Sequence, residues 1–157
     1  MFNLRRKPRV RVWKVYTDGA IQPLYGISGV GAVVYDETGK IVHLWQGVAR
    51  GMTCNEAEYT AVLFALRRLE AFRPLRLTVC SDSQVLVDQM TGMAQVHAPE
   101  LRRLNFLLRG VVLRFGEVQF QHVPREQNRI ADALAVEAVM NLKASQKNLA
   151  EGGGCAA

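Results

Sequence analysis

Four carboxylic acids stand in sequence contexts that suit metal-assisted phosphodiester chemistry better than they suit folding. Each is flanked by apolar or small residues of the kind that build a core, where a lone charge is costly. They are Asp18 in Val-Tyr-Thr-Asp-Gly, Glu58 in Asn-Glu-Ala-Glu-Tyr, Asp82 in Cys-Ser-Asp-Ser-Gln and Asp132 in Ile-Ala-Asp-Ala-Leu-Ala. Acids that converge at the rim of one core are most simply explained by a divalent cation that neutralises them. The pattern indicates a metal-dependent enzyme.

Two glutamates lie near the predicted start of one helix, and helical geometry separates their roles. The segment Thr53-Cys-Asn-Glu56 is a capping box, in which Thr53 caps the helix and Glu56 reaches back to the cap. Glu58 instead shares the stripe that is expected to face the sheet. The other members of that stripe are Val62, Ala65 and Leu69. Glu58 is therefore the candidate metal ligand, and Glu56 has a structural role.

The three aspartates each have an ordinary structural alternative. Asp18 is able to open an Asp-Gly turn, and Asp82 is able to cap a helix that begins at Ser83. Asp132 is able to stabilise a helix N-terminus, although it shares an inward-facing stripe of apolar residues. That stripe consists of Ala135, Val136 and Val139. Any one aspartate is explained in this way, but the joint occurrence of four acids favours a shared site.

Composition and charge predict one domain with a basic N-terminal arm. The chain has 157 residues, 49% of them hydrophobic, and a net charge of +6. Six of its 20 basic residues, among them Arg5, Arg6 and Lys7, lie in the first fourteen positions, which hold no acid. Such an arm, assigned to residues 1–10, suits a polyanionic partner, and the alternative is a solubilising tail. The three cysteines lack metal-ligand spacing, and the chain has no long apolar run, so we expect a cytoplasmic protein without a membrane partner. We also expect a monomer.

Apolar periodicity predicts five strands and four helices. The strands are predicted at residues 9–17, 30–35, 40–47, 75–80 and 117–123, and the helices at 55–72, 83–90, 99–115 and 127–142. Their order predicts an α/β fold whose mixed five-stranded sheet combines a three-strand antiparallel meander with two parallel strands, flanked by helices. Asp18 and Asp82 are expected at strand ends. The folded domain is expected to span residues 11–142, and residues 143–157 to be disordered.

The motifs that carry the acids resemble those of type 1 ribonuclease H, in the family's order over roughly residues 11–140. They are Thr17-Asp18-Gly19-Ala20, Asn55-Glu56-Ala57-Glu58-Tyr59, Ser81-Asp82-Ser83-Gln84, and Pro124-Arg125-Glu126-Gln127-Asn128 with Ala131-Asp132-Ala133-Leu134-Ala135. Their forms are similar to the compact bacterial and archaeal variants. The resemblance implies a ribonuclease H-like catalytic domain at 11–142 that hydrolyses the RNA strand of an RNA–DNA hybrid and leaves 5′-phosphate and 3′-hydroxyl ends.

The resemblance also implies the cofactor and the site residues. It maps the catalytic and metal-binding acids onto the four named above, with two Mg²⁺ or Mn²⁺ ions that clamp the scissile phosphate. It implies that Asn55, Gln84 and Gly19 bind substrate, since amides suit the 2′-hydroxyls that distinguish RNA from DNA. Helix capping is the alternative role of both amides. For proton transfer or product release it implies two candidates, His122 and Arg125.

Two departures from the family pattern and two other functions stay open at this point. Leu24 stands where many relatives have a hybrid-contacting asparagine, and the segment between Met90 and Pro99 is too short for a basic helical handle. The arm is a candidate to compensate for the handle. The alternative functions are a divalent-metal DNA nuclease or recombinase of the same fold, and a non-catalytic hybrid-binding module. The amides argue against the first, and four acids argue against the second.

Overall fold

Five strands form one mixed sheet in this computed structural model, which describes residues 10–50 and 53–152. They are β1 Val12–Gln22, β2 Ile27–Tyr35, β3 Ile41–Arg50, β4 Arg76–Ser81 and β5 Glu117–His122. Their order across the sheet is β3-β2-β1-β4-β5. The first three strands pair antiparallel, β4 runs parallel to β1, and β5 runs parallel to β4. The predicted fold class is confirmed.

Four α-helices flank the sheet. They are α1 Cys54–Leu69, α2 Gln84–Thr91, α3 Pro99–Val112 and α4 Arg129–Gly152. The predicted capping box opens α1, because the Glu56 backbone N–H donates to the Thr53 hydroxyl at 3.3 Å and the Thr53 N–H donates to the Glu56 carboxylate at 2.8 Å. The remaining helix ends lie within a few residues of the predicted positions except in α4.

Two predicted boundaries are wrong by five residues or more. The first strand does not end at Asp18, because β1 keeps its pairing with β2 through Gln22, and a partner strand overrides a local Asp-Gly turn signal. Helix α4 does not end near residue 142 but continues to Gly152, in keeping with the helix-forming Leu, Lys, Ala, Gln and Glu of that segment. Residues 143–152, expected to be disordered, are therefore helical. The rest of the predicted tail and arm residues 1–9 lie outside the described residues.

Different helices cover the two faces of the sheet. On one face, α1 and α3 pack with the strands around a core whose fully buried side chains include Val15, Leu66 and Val79. On the other face, α4 packs on β2 so closely that a Cβ added at Gly31 would lie 2.2 Å from the carbonyl oxygen of Ala131. Glycine therefore permits this approach, which brings the first turn of α4 to the middle of the sheet.

Candidate active site

Two adjacent parallel strands bring Asp18 and Asp82 side by side. Tyr16 pairs with Cys80 in the β1–β4 register, so the positions two residues further along are the two aspartates. Asp82 lies one residue past the end of β4, as predicted. Asp18 instead lies inside β1, paired with Gly31 of β2, and its side chain is buried. The expected placement at a strand end holds for Asp82 and is wrong for Asp18.

Glu58 reaches the two aspartates from the N-terminal turns of α1. A Cβ added at Gly19 would lie 2.5 Å from the carbonyl carbon of Ala57, so the missing side chain of Gly19 lets α1 approach β1. One carboxylate oxygen from each of Asp18, Glu58 and Asp82 lies within 4.8 Å of the others. The stripe predicted for Glu58 is fully buried, and Glu56 is held in the capping box. The structure thus brings together Glu58, not Glu56, with the aspartates.

Burial and mutual repulsion raise the pKa values of two of these acids. Burial raises the pKa of Asp18 to about 7; a hydrogen bond with Glu58 opposes the shift, and the charge of Asp82 adds to it. Burial, followed by the charge of Asp18, raises the pKa of Glu58 to about 10. The buried Oε2 of Glu58 has no hydrogen-bond partner among the described residues. Crowded, incompletely paired carboxylates are the donor set that a hard divalent cation requires.

Asp132 lies at the edge of this cluster. It occupies the first turn of α4, and both its hydrogen bond and its charge raise the pKa of Asp18. Among the described residues, the acids whose oxygens lie within 4.8 Å of one another are Asp18, Glu58 and Asp82, and Asp132 is outside this group. Its predicted stripe is partly wrong, since Ala135 and Val139 are buried but Val136 is 37% exposed. Ala131 and Ala138 are buried instead, and α4 approaches β2 most closely at Ala131 and Ala135.

Asn128 is a site residue that the sequence reasoning did not single out. Its side chain is 1% exposed, and its Nδ2 donates to the Thr17 carbonyl at 2.9 Å and to Asp82 Oδ1 at 3.2 Å. Its own carbonyl accepts from the Asp132 N–H at 3.0 Å. The sequence feature that could have identified Asn128 is its position at the end of the Pro-Arg-Glu-Gln-Asn motif, four residues before Asp132. Asn128 therefore connects two of the acids to β1.

The two amides predicted to read RNA are exposed beside the cluster. Asn55 is the second residue of α1, and Gln84 is the first residue of α2, where its Nε2 donates to Asp88 Oδ1 at 2.7 Å. Neither amide caps its helix, because the Thr53 and Ser83 hydroxyls do so. The alternative capping roles of Asn55, Gln84 and Asp82 are therefore wrong.

The remaining predicted residues lie at the periphery or outside the described chain. His122 ends β5, paired with Ser81, and Arg125 begins a short 3₁₀ turn, Arg125–Gln127; both are exposed. The positions alone do not decide between these two candidates. Leu24 is 88% exposed, so it contributes no core packing that would explain the departure from asparagine. Arg5, Arg6 and Lys7 lie outside the described residues.

Comparison with known proteins identifies the family. A family model described as reverse transcriptase-like matches residues 16–138. The crystal structure of RNase H1 from Halobacterium salinarum superposes with a TM-score of 0.78 at 34% identity, covering 82% of this chain and 98% of that one. This chain belongs to the type 1 ribonuclease H family. Membership confirms the resemblance read from the motifs.

Two further relatives define how far the ribonuclease H likeness extends. Ribonuclease HI of Halobacterium salinarum is 36% identical over 124 residues, which cover 79% of this chain but only 62% of that protein. The structure of LC11-RNase H1 in complex with an RNA/DNA hybrid matches at 31% identity and a TM-score of 0.78, over 83% of this chain and 98% of that chain.

Among the described residues, no helix combines the length and apolar character that a membrane span needs.

Proposed function

We propose that this ribonuclease H-family chain is an endonuclease that hydrolyses the RNA strand of RNA–DNA hybrids, leaving 5′-phosphate and 3′-hydroxyl ends. The convergence of Asp18, Glu58 and Asp82 within 4.8 Å carries the proposal. Three acids repel a phosphate backbone unless cations neutralise them, so a protein that only bound hybrids would gain nothing from this cluster. The hybrid bound to the LC11 relative supports the substrate class.

We assign the four acids as ligands of two Mg²⁺ or Mn²⁺ ions. The raised pKa values of Asp18 and Glu58 and the unpaired Glu58 Oε2 support such a site. When bound, the ions supply charge neutralisation at the scissile phosphate, an activated water and stabilisation of the leaving 3′ oxygen. The chain supplies rigid positioning: Asp18 is held inside a paired strand, and Glu58 is carried by a helix packed on that strand.

Selection of the RNA strand is assigned to Asn55 and Gln84. Both side chains are exposed at the helix ends that flank the acids. An amide donates and accepts, and a 2′-hydroxyl does the same, so the pair suits successive ribose groups in a shallow minor groove. Gly19 donates its N–H to Asp18 Oδ1 at 2.9 Å and admits α1, and its direct contact with substrate stays a prediction.

Several finer assignments complete the proposal. Either His122 or Arg125 assists proton transfer or product release, and the arm residues Arg5, Arg6 and Lys7 contact backbone phosphates. The chain acts as a cytoplasmic monomer. The basic first fourteen residues support the phosphate contacts of the arm, and cysteines without metal-ligand spacing support a cytoplasmic location.

The test is a gel assay with four labelled substrates: an RNA–DNA hybrid, duplex DNA, duplex RNA and single-stranded RNA, each with and without Mg²⁺. We expect cleavage of the RNA strand of the hybrid, only with metal. Asp18→Asn is the matched inactive control, because an amide keeps the shape but removes the charge that holds a cation. Cleavage of duplex DNA would favour the nuclease or recombinase alternative. Metal-independent hybrid binding without cleavage would favour a binding module.

A further inference from the structure

One buried amide joins the three chain segments that carry the aspartates of the site. Asn128 Nδ2 donates to the carbonyl of Thr17, which precedes Asp18, and to Oδ1 of Asp82. The Asn128 backbone carbonyl accepts from the N–H of Asp132. These partners belong to β1, to the end of β4 and to the first turn of α4. Asn128 is therefore linked to the position of each aspartate, while its side chain is 1% exposed.

The chemistry of the two acceptors determines the orientation of this amide. A carbonyl oxygen and a carboxylate oxygen only accept hydrogen bonds, so the NH₂ end must face them, and its two N–H groups match the two acceptors. The opposite end, Oδ1, is buried with no partner among the described residues. Both side-chain hydrogen bonds of Asn128 are therefore made by its NH₂ group. Aspartate would have the same shape at this position but would place oxygens against both acceptors.

We propose that Asn128 is a positioning residue that orients the Asp82 carboxylate and sets the start of α4, and thereby the spacing of Asp82 and Asp132 in the metal site. The terminal torsion of an aspartate is broad, so a donor to one oxygen narrows the directions in which the other oxygen points. Removal of such an outer hydrogen bond weakens a metal site, since ligands must be held before the ion arrives. This inference rests on the proposed function.

The experiment compares Asn128→Asp with two matched asparagine variants. Asn141→Asp makes the same change on the exposed surface of α4. Asn105→Asp makes it at another buried amide, whose Nδ2 donates to the Tyr59 hydroxyl at 3.1 Å. Mn²⁺ affinity is measured by calorimetry without substrate, and kcat and KM for hybrid cleavage are measured across a Mg²⁺ series. Thermal unfolding without metal reports the structural cost of each change.

Asn128→Asp is expected to weaken Mn²⁺ binding by about 10- to 100-fold. Its kcat should fall by a similar factor and recover partly at high Mg²⁺, while KM for the hybrid stays near that of the parent because Asn55 and Gln84 are unchanged. Asn105→Asp should lower the unfolding temperature without weakening Mn²⁺ binding, and Asn141→Asp should change neither. Should Asn128→Asp not fold, Asn128→Ser, with one donor in place of two, carries the same measurements.

Parent-like Mn²⁺ affinity and Mg²⁺ dependence in a folded Asn128 variant would overturn the positioning role. An equal loss of affinity in Asn105→Asp would also overturn it, because the effect would then be one of general stability. Failure of the proposed function looks different: the parent protein would bind Mn²⁺ in a manner that depends on Asn128 yet would leave the hybrid intact.

Discussion

Gly19 and Ala57 are in backbone contact: a Cβ added at Gly19 would lie 2.5 Å from the carbonyl carbon of Ala57. Gly19 follows Asp18 in β1, and Ala57 precedes Glu58 in α1. The contact therefore controls the distance between two acids on different secondary-structure elements. The Gly19 N–H also donates to Asp18 Oδ1 at 2.9 Å. A glycine in the middle of a paired strand is explained by this close approach.

Replacement of Gly19 by alanine is expected to damage both stability and activity. The new methyl group forces α1 away from β1, and overpacking of this kind costs about 1–3 kcal/mol. Glu58 moves with the helix, so hybrid cleavage should fall by more than the loss of folded protein explains. Gly110→Ala is the control, because an added Cβ there would meet nothing within 4 Å and the residue lies in the last turn of α3. That change should stabilise the protein by up to about 1 kcal/mol. Urea unfolding and initial rates measure both effects, and a fully active Gly19→Ala protein would contradict the assigned contact.

The two glutamates at the start of α1 should respond oppositely to replacement by glutamine. Glu58→Gln removes a carboxylate from the acid cluster, so cleavage should drop by several orders of magnitude while the metal-free protein becomes more stable. Glu56→Gln only weakens the capping box, at a cost of about 1 kcal/mol or less. Rates under saturating Mg²⁺ and thermal unfolding separate the two. An inactive Glu56→Gln protein beside an active Glu58→Gln protein would reverse the assignment.

The raised pKa values of Asp18 and Glu58 predict that the metal-free protein loses stability as the pH rises. The folded state holds protons on these acids at pH values where the unfolded chain has released them, so their contribution is complete below about pH 4 and declines as the pH passes through about 7 and then about 10. Mg²⁺ competes with those protons. The increase in unfolding temperature on adding Mg²⁺ should therefore be larger at about pH 8 than at about pH 5. Calorimetry over this range tests it, with Asp18→Asn expected to flatten both trends.

Deletion of residues 1–8 should weaken hybrid binding and reduce its salt dependence, with little change in kcat. The deletion removes Arg5, Arg6 and Lys7 and leaves β1 intact. If these residues contact phosphates, the slope of log K against log salt should fall by roughly 2–3, from about 0.9 per contact on a B-form duplex. Binding measured across a salt series checks this. Parallel slopes for the full-length and truncated proteins would make the arm a solubilising tail.

The local signals in the sequence were sufficient for the order of the elements and for most of the acid cluster. Capping boxes and apolar stripes are short-range features, and they predicted both the capping box that holds Glu56 and the buried stripe that carries Glu58. The Asp36 carboxylate likewise accepts from the Thr38 and Lys40 N–H groups, in a short turn between the strands predicted at 30–35 and 40–47. Such features follow from interactions within a few residues, so the local sequence specifies them.

Other features depend on partners that are distant in the chain. Asn128 lies 111 residues from Thr17, its hydrogen-bond acceptor, so a pattern of neighbouring residues cannot predict this hydrogen bond. The interior position of Asp18 in β1 depends on β2 pairing beyond the Asp-Gly signal, and the burial of Ala131 accompanies the close contact of α4 with β2. The types and order of the acids were thus determined by the sequence. Their separations, their shifted pKa values and the amide that orients them were decided only when packing brought distant segments together, because burial and hydrogen bonding depend on the neighbours in space.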